Sequence, residues 1–190
     1  MQTHTPVTVR THLGLLLLGL VYIFSYIDRQ AIAILIEPIK REFGASDTMM
    51  GLLTGLAFGL LYAGLGVPVG KLADRANRRN IVAVCCTIWS LATMACGFAQ
   101  QFWQLLAARM TVAVGEAGGM APSISMVSDM YPRRQRSLVI GLFMMGPHFG
   151  VLIGLAVGGW IAQHHGWRAA FLWFGAPGVV LGLLVWLLVR

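Results

Sequence analysis

The stretch Gly70-Lys71-Leu72-Ala73-Asp74-Arg75-Ala76-Asn77-Arg78-Arg79 puts five ionisable side chains into ten residues. It lies between two apolar runs, Thr48–Val69 and Ile81–Ala99. Runs of about 20 apolar residues span a bilayer core as helices at 1.5 Å per residue. A membrane strand needs only about 9–11 residues of alternating polarity. The decad therefore reads as a short polar connector between two membrane helices. Composition agrees. Only 11% of the 190 residues are charged, and mean hydropathy is +0.74, whereas a soluble domain carries about 25% charged residues.

Working outward, six apolar segments can be drawn at residues 12–36, 48–69, 81–99, 102–127, 138–162 and 169–189. The first stays apolar well past the length of a signal-peptide core, so it reads as a retained helix. The connections are short, which makes neighbours antiparallel. With the N-terminus in the cytoplasm, the inner side holds Arg10, Lys71, Arg75, Arg78, Arg79, Arg133, Arg134, Arg136 and Arg190. The outer side then holds only Lys40, Arg41 and Arg168. That asymmetry sets the orientation. It also accounts for the net charge of +7 without nucleic acid, because the basic residues sit in loops. Cys85, Cys86 and Cys96 share one apolar segment and have no metal or redox spacing. They read as small buried hydrophobes, with no metal and no cofactor expected.

Gly70–Asp74 aligns with Gly159–Gln163 after the fifth segment, and the same offset places Arg79 on Arg168. A repeat of three helices gives two copies of opposite orientation in the membrane. Glycines support the repeat. Segment 2 carries Gly51, Gly55, Gly59 and Ala63, and segment 5 carries Gly146, Gly150, Gly154 and Gly158, all at four-residue spacing. Such faces let another helix approach closely. They predict helix packing, with partner helices expected from outside these six segments. Pro68, Pro122 and Pro147 are candidate bends.

The decad resembles the signature loop of the major facilitator superfamily, Gly-x-x-x-Asp-Arg/Lys-x-Gly-x-Arg/Lys-Arg/Lys. Asn77 replaces the second Gly, and Asn also tolerates a left-handed turn. Tyr26-Ile27-Asp28-Arg29 and Arg109-Met110-Thr111-Val112-Ala113-Val114-Gly115-Glu116-Ala117 resemble the Tyr-x-Asp-Arg and Arg-x-x-x-Gly-x-Gly-Glu-Ala of its spinster-type branch. Ala113 departs from the second pattern. Gly119 stands where animal members carry an aromatic, which brings the chain nearer the bacterial members. The resemblance implies an all-α membrane protein, a six-transmembrane-helix bundle of two inverted three-helix repeats. Residues 1–190 would be the N-terminal half of the fold, with the C-terminal six-helix half as its missing partner. It also implies the bacterial inner membrane and a secondary transporter that works by alternating access.

Ionised groups at membrane depth are costly unless they pair or face a wet cavity. Along helices of 1.5 Å rise, Asp28 lies about 12 Å from the outer end, Arg109 about 10 Å and Glu116 about 20 Å. Glu116 follows Arg109 by two turns on roughly the same face. The three can therefore converge on one polar track. A structural ion pair of Asp28 with Arg109 or Arg29 is the alternative. The resemblance implies the functional reading, in which Arg109 attracts an anionic group and Asp28 and Glu116 bind and release a proton. It further implies a cytoplasmic gate of Asp74, Arg75, Arg78 and Asp129 that closes by ion pairing. Arg29, on a different helical face from Asp28, is expected to serve another neighbour.

The substrate implied is an anionic or zwitterionic amphipathic molecule such as a lysolipid. Small organic anions or sugar acids are the alternative within the same superfamily. A membrane partner protein that transports nothing is the competing class. His148 and the pair His164-His165 read as packing and loop residues. No nucleophile–base pair is spaced for enzymatic chemistry, and no phosphate-binding loop for ATP. An enzyme is not expected.

Overall fold

In the computed structural model, which describes residues 8–189, the chain is all-α, with no strand among the described residues. The helices are α1 (Val9–Phe43), α2 (Asp47–Gly51), α3 (Ala57–Arg75), α4 (Arg78–Gly97), α5 (Phe102–Glu116), α6 (Met120–Met130), α7 (Arg133–Met144) and α8 (Gly146–Leu188). A π-helical turn, Leu52–Leu56, joins α2 to α3 into one crossing. Arg190, counted above among the inner basic residues, lies outside the described residues.

In hydrocarbon the backbone must satisfy its own hydrogen bonds, so apolar runs become helices. Their ends carry the local signals. α1 overshoots the apolar segment, runs through Pro38, and stops at Gly44, whose φ of 58° and N–H to the Lys40 carbonyl form a left-handed cap. Lys40 and Arg41 fall in its last turn, where cations suit the helix dipole. The Ser46 hydroxyl accepts the Met49 N–H at 3.2 Å and starts α2.

Asn77 corrects one expectation. Its φ of −71° and ψ of 108° are extended, and its side chain accepts the Arg79 N–H. It stands in the loop as an N-cap for α4, with no left-handed geometry.

The fourth crossing is two helices. Residues 117–119 leave the α-helix, and three-residue backbone bonds, such as Gly119 N–H to the Glu116 carbonyl at 3.1 Å, replace the usual four-residue ones. A Cβ on Gly118 would lie 2.3 Å from the Cys85 Sγ, and one on Gly115 2.8 Å from the Trp89 backbone nitrogen. Glycine is thus required for α5 to lie against α4. Pro122 sits in the first turn of α6, where its absent N–H costs nothing; the interruption precedes it. Pro147 likewise opens α8 just after a turn at Met145, and Pro68 lies inside α3 without breaking it. Gly166, φ 82°, divides α8 into the fifth and sixth crossings.

The bundle has two apolar clusters. One, at the end holding the Arg-rich loops, gathers Leu18, Val82, Trp89, Val112, Phe143 and Val185. The other, at the far end, gathers Leu35, Leu53, Cys96, Leu105, Ile161 and Phe171. Between them lies a layer of charge.

The glycine stripes divide. Gly146, Gly150 and Gly154 are buried against α1. A Cβ on Gly150 would meet the Ile23 carbonyl oxygen and the Tyr26 Cβ, each at 2.6 Å. The expected outside partner for this stripe is therefore corrected: α1 of the same bundle fills the place. Gly175, Gly178 and Gly182 seat the second part of α8 on α4 in the same way. Gly55 and Gly59 have nothing within 4 Å of a built Cβ. Only 11% of the Asp47–Arg75 crossing's most apolar window is buried, against 56% for α4. That face of the second crossing is unpartnered within these residues.

Candidate functional site

Asp28 and Arg29 come from α1, Arg109 and Glu116 from α5. Asp28, Arg109 and Glu116 are each 2% exposed. The Arg29 Nε donates to the Glu116 Oε2 at 2.6 Å, the only ion pair inside the bundle among the described residues. Neither ion pair considered for Asp28, with Arg109 or with Arg29, is present. Asp28 Oδ2 instead accepts the Thr93 hydroxyl at 3.0 Å. Arg109 lies within Coulomb reach of both carboxylates but pairs with neither, and its Nε and Nη1 have no hydrogen-bond partner among the described residues.

Aromatic rings complete the layer. The Arg29 guanidinium lies 4.4 Å from the Tyr62 ring centroid, 5.2 Å from Tyr26 and 5.6 Å from Phe58. Arg109 lies 4.7 Å from the same Phe58 ring. Phe58, from α3, therefore stands between two cations and offers each a π face. A narrow pocket opens beside the pair, lined by Ser25, Arg29, Tyr62, Glu116, Met120 and Ser123. Arg109 does not line that pocket, but a guanidinium with Nε and Nη1 unpartnered among the described residues is a fork for a carboxylate or phosphate. Two carboxylates, each with one oxygen unpartnered among the described residues, Asp28 Oδ1 and Glu116 Oε1, can take a proton.

Arg29, expected from the sequence to serve a neighbour other than Asp28, is what Glu116 holds, although the sequence did not name Glu116 as its partner. Sequence reasoning also missed Thr93, Phe58 and Tyr62. Phe58 and Tyr62 carry one signal, their four-residue spacing on α3, and their rings stack at 6.2 Å.

At the Arg-rich end, Arg78 pairs with Asp129 at 2.7 Å across α4 and α6. Both border a cleft that Asp74 also lines, but Asp74 and Arg75 have no ion-pair partner among the described residues. Three of the four expected gate residues thus border one cleft, two of them joined, and Arg75 does not line it.

At the far end Glu42 accepts the Trp167 Nε1–H at 2.6 Å and pairs with Arg168 at 2.6 Å. Arg168 also donates to the Ala99 carbonyl at 2.8 Å. These bonds tie the end of α1 to two loops. They hold the Glu42 carboxyl, which lies beyond the apolar span, below its ordinary range, the Trp167 bond acting most.

The Major Facilitator Superfamily model matches residues 18–190, and the chain belongs to that family of multi-pass membrane transporters. Its all-α bundle is the superfamily's N-terminal half, two inverted three-helix repeats. An MFS-type efflux pump of Mycolicibacterium smegmatis is 37% identical over 172 residues, covering 90% of this chain and 40% of that one. A probable sphingolipid transporter, spinster homolog 1 of Arabidopsis thaliana, is 36% identical over 135 residues, covering 70% of this chain and 27% of that one. Among solved structures, a bacterial homolog of the human lysosomal transporter Spinster, inward-facing and unoccupied, superposes with a TM-score of 0.91 at 36% identity. It covers 97% of this chain, which spans 44% of it. The spinster-like resemblance read from Tyr26–Arg29 and Arg109–Ala117 therefore holds. The chain spans less than half the length of these relatives.

Proposed function

We propose that these residues are one six-helix half of a proton-coupled secondary transporter that moves an anionic or zwitterionic amphipathic molecule, such as a lysolipid, by alternating access. The observation that carries this reading is buried Arg109, whose Nε and Nη1 have no hydrogen-bond partner among the described residues, beside two carboxylates. A merely structural arginine at that depth would be bonded, because an unsatisfied buried charge is strongly unfavourable. A substrate anion at Arg109 would supply the missing bonds. It would also weaken the hold of Arg109 on Asp28 and Glu116 and make protonation of a carboxylate easier. The second half would lie along the Gly55–Gly59 face. The N-terminus and the Arg-rich loops would face the cytoplasm of a bacterial inner membrane, where Arg78–Asp129, with Asp74 and Arg75, would serve as the gate.

The test is uptake into proteoliposomes by the full-length transporter under an imposed pH gradient, with a lysolipid and a small organic anion as alternative substrates. Arg109→Ala should lose binding of both. Asp28→Asn and Glu116→Gln should lose uphill uptake while keeping exchange. Full proton-driven uptake by both carboxylate variants would remove the coupling role. Absence of transport by the wild type with every anion offered would favour a partner protein that transports nothing.

A further inference from the structure

Hydroxyls in membrane helices usually bond back to their own helix, since no water is there to satisfy them. This chain shows the habit repeatedly. Thr54 donates to the Met50 carbonyl at 2.9 Å, Thr87 to Ala83 at 2.9 Å and Thr111 to Ala107 at 3.0 Å. Ser25 donates to Tyr22 at 3.2 Å and Ser123 to Gly119 at 2.7 Å. Thr93 departs from it. It is 1% exposed on α4, and its hydroxyl crosses to α1 and donates to the Asp28 Oδ2 at 3.0 Å. Its own four-residue acceptor, the Trp89 carbonyl, is left for another use.

We propose that Thr93 is the positioning residue of the Asp28 proton site, its hydroxyl reversing direction with the charge on Asp28. Ionised Asp28 has only acceptors, so Thr93 must donate to it. When Asp28 takes a proton from water on the open side, its new O–H can donate to the Thr93 oxygen. The Thr93 hydrogen is then free to turn to the Trp89 carbonyl. A hydroxyl has one donor and two acceptor sites, so the Thr93–Asp28 hydrogen bond is kept in both states with no movement of either helix. Valine in its place could serve neither state.

The other titratable and charged groups that face Asp28 are Arg109 and Glu116 from α5 and Cys86 and Cys96 from α4; Arg29, next to it on α1, is turned to Glu116. α8, packed on both α1 and α4, has no titratable side chain between residues 149 and 163 or between 169 and 188. Among these, Thr93 alone makes a hydrogen bond to the Asp28 carboxylate.

The inference rests on the proposed role of Asp28 as a proton carrier, and its test separates the two. The readout is the protonated-carboxyl stretch in infrared difference spectra of the full-length transporter between neutral and acid pH, with Asp28→Asn assigning the band. Thr93→Val should displace the pH midpoint of that band by about one unit and shift its frequency. Thr93→Ala should do the same, and Thr93→Ser should restore both. An Asp28 band unmoved by Thr93→Val and Thr93→Ala overturns the proposal, as does the absence of any Asp28 band. A band that responds to Thr93 while Asp28→Asn leaves proton-driven uptake intact upholds the Thr93 contact and removes only the coupling role.

Discussion

Gly150→Ala adds one carbon where the structure has no room. The new Cβ would lie 2.6 Å from the Ile23 carbonyl oxygen and from the Tyr26 Cβ, about 0.8 Å short of ordinary contact. Neither atom is the end of a flexible side chain, so α1 and α8 must part. Overpacking of this kind costs about 1–3 kcal/mol, and the better helix propensity of Ala returns at most about 1 kcal/mol. The net loss, up to about 2 kcal/mol, lowers the melting temperature of a chain this size by up to about 8 °C. Thermal unfolding in detergent, followed by size exclusion, reads it directly. The controls are Gly55→Ala and Gly59→Ala, which meet nothing within 4 Å and should be neutral or slightly stabilising. The displacement also reaches the site. Residues 23–30 of α1 rest on Gly150 and Gly154, and that stretch carries Asp28 and Arg29. Gly150→Ala should therefore also weaken the proposed proton-driven uptake of the full-length transporter, beyond its effect on stability. Unfolding of Gly150→Ala at the temperature of Gly55→Ala would refute the argument.

Two further perturbations have defined outcomes. Phe58→Leu keeps the apolar bulk but removes the ring between Arg29 and Arg109, and should cost about 1–3 kcal/mol in thermal stability from two partly desolvated cation–π contacts; a loss equal to that of Leu60→Ala, an exposed site on the same helix, would count against it. Glu42, held below its ordinary value of 4.5 by Trp167 and Arg168, contributes stability that is complete above about pH 4.5 and fades as the pH falls through its folded value. Glu42→Gln should flatten that acid limb by lowering the neutral plateau toward the acid value, a small change because the pair is solvent-exposed.

The crossings were legible because apolar length fixes them, and the loop decad could be placed between two of them. Their interruptions were less so. The break at 117–119 follows from glycines meeting Cys85 and Trp89, a contact no spacing within α5 reveals, and Pro122 pointed three residues too far along. Asp28, Arg109 and Glu116 stood out as charges in apolar surroundings and through the Tyr26–Arg29 and Arg109–Ala117 motifs. Which of them bond is decided by side-chain direction between helices, so Glu116 could not be named as the partner of Arg29, although a neighbour other than Asp28 was expected. The 100° offset of Arg29 from Asp28 turns it toward Glu116 and the α3 rings. Thr93 gave no signal, since a lone threonine in a membrane helix ordinarily bonds its own backbone. The Gly146–Gly154 stripe announced close packing but could not name α1 as its partner.

The charge layer contains two carboxylates and two guanidiniums, formally neutral. A single anion bound at Arg109 makes it negative by one; a single proton on Asp28 or Glu116 restores zero. A complex that moves across the membrane with no net charge exchanges no work with the transmembrane potential, which otherwise amounts to about 2.3 kcal/mol per elementary charge per 100 mV. Carriage of a monoanion with one proton would then respond to a pH gradient and ignore voltage, whereas a zwitterion with one proton would feel both. Under the proposed function, uptake by the full-length transporter under an imposed potassium diffusion potential distinguishes the two, and its voltage response then reports the charge of the molecule carried.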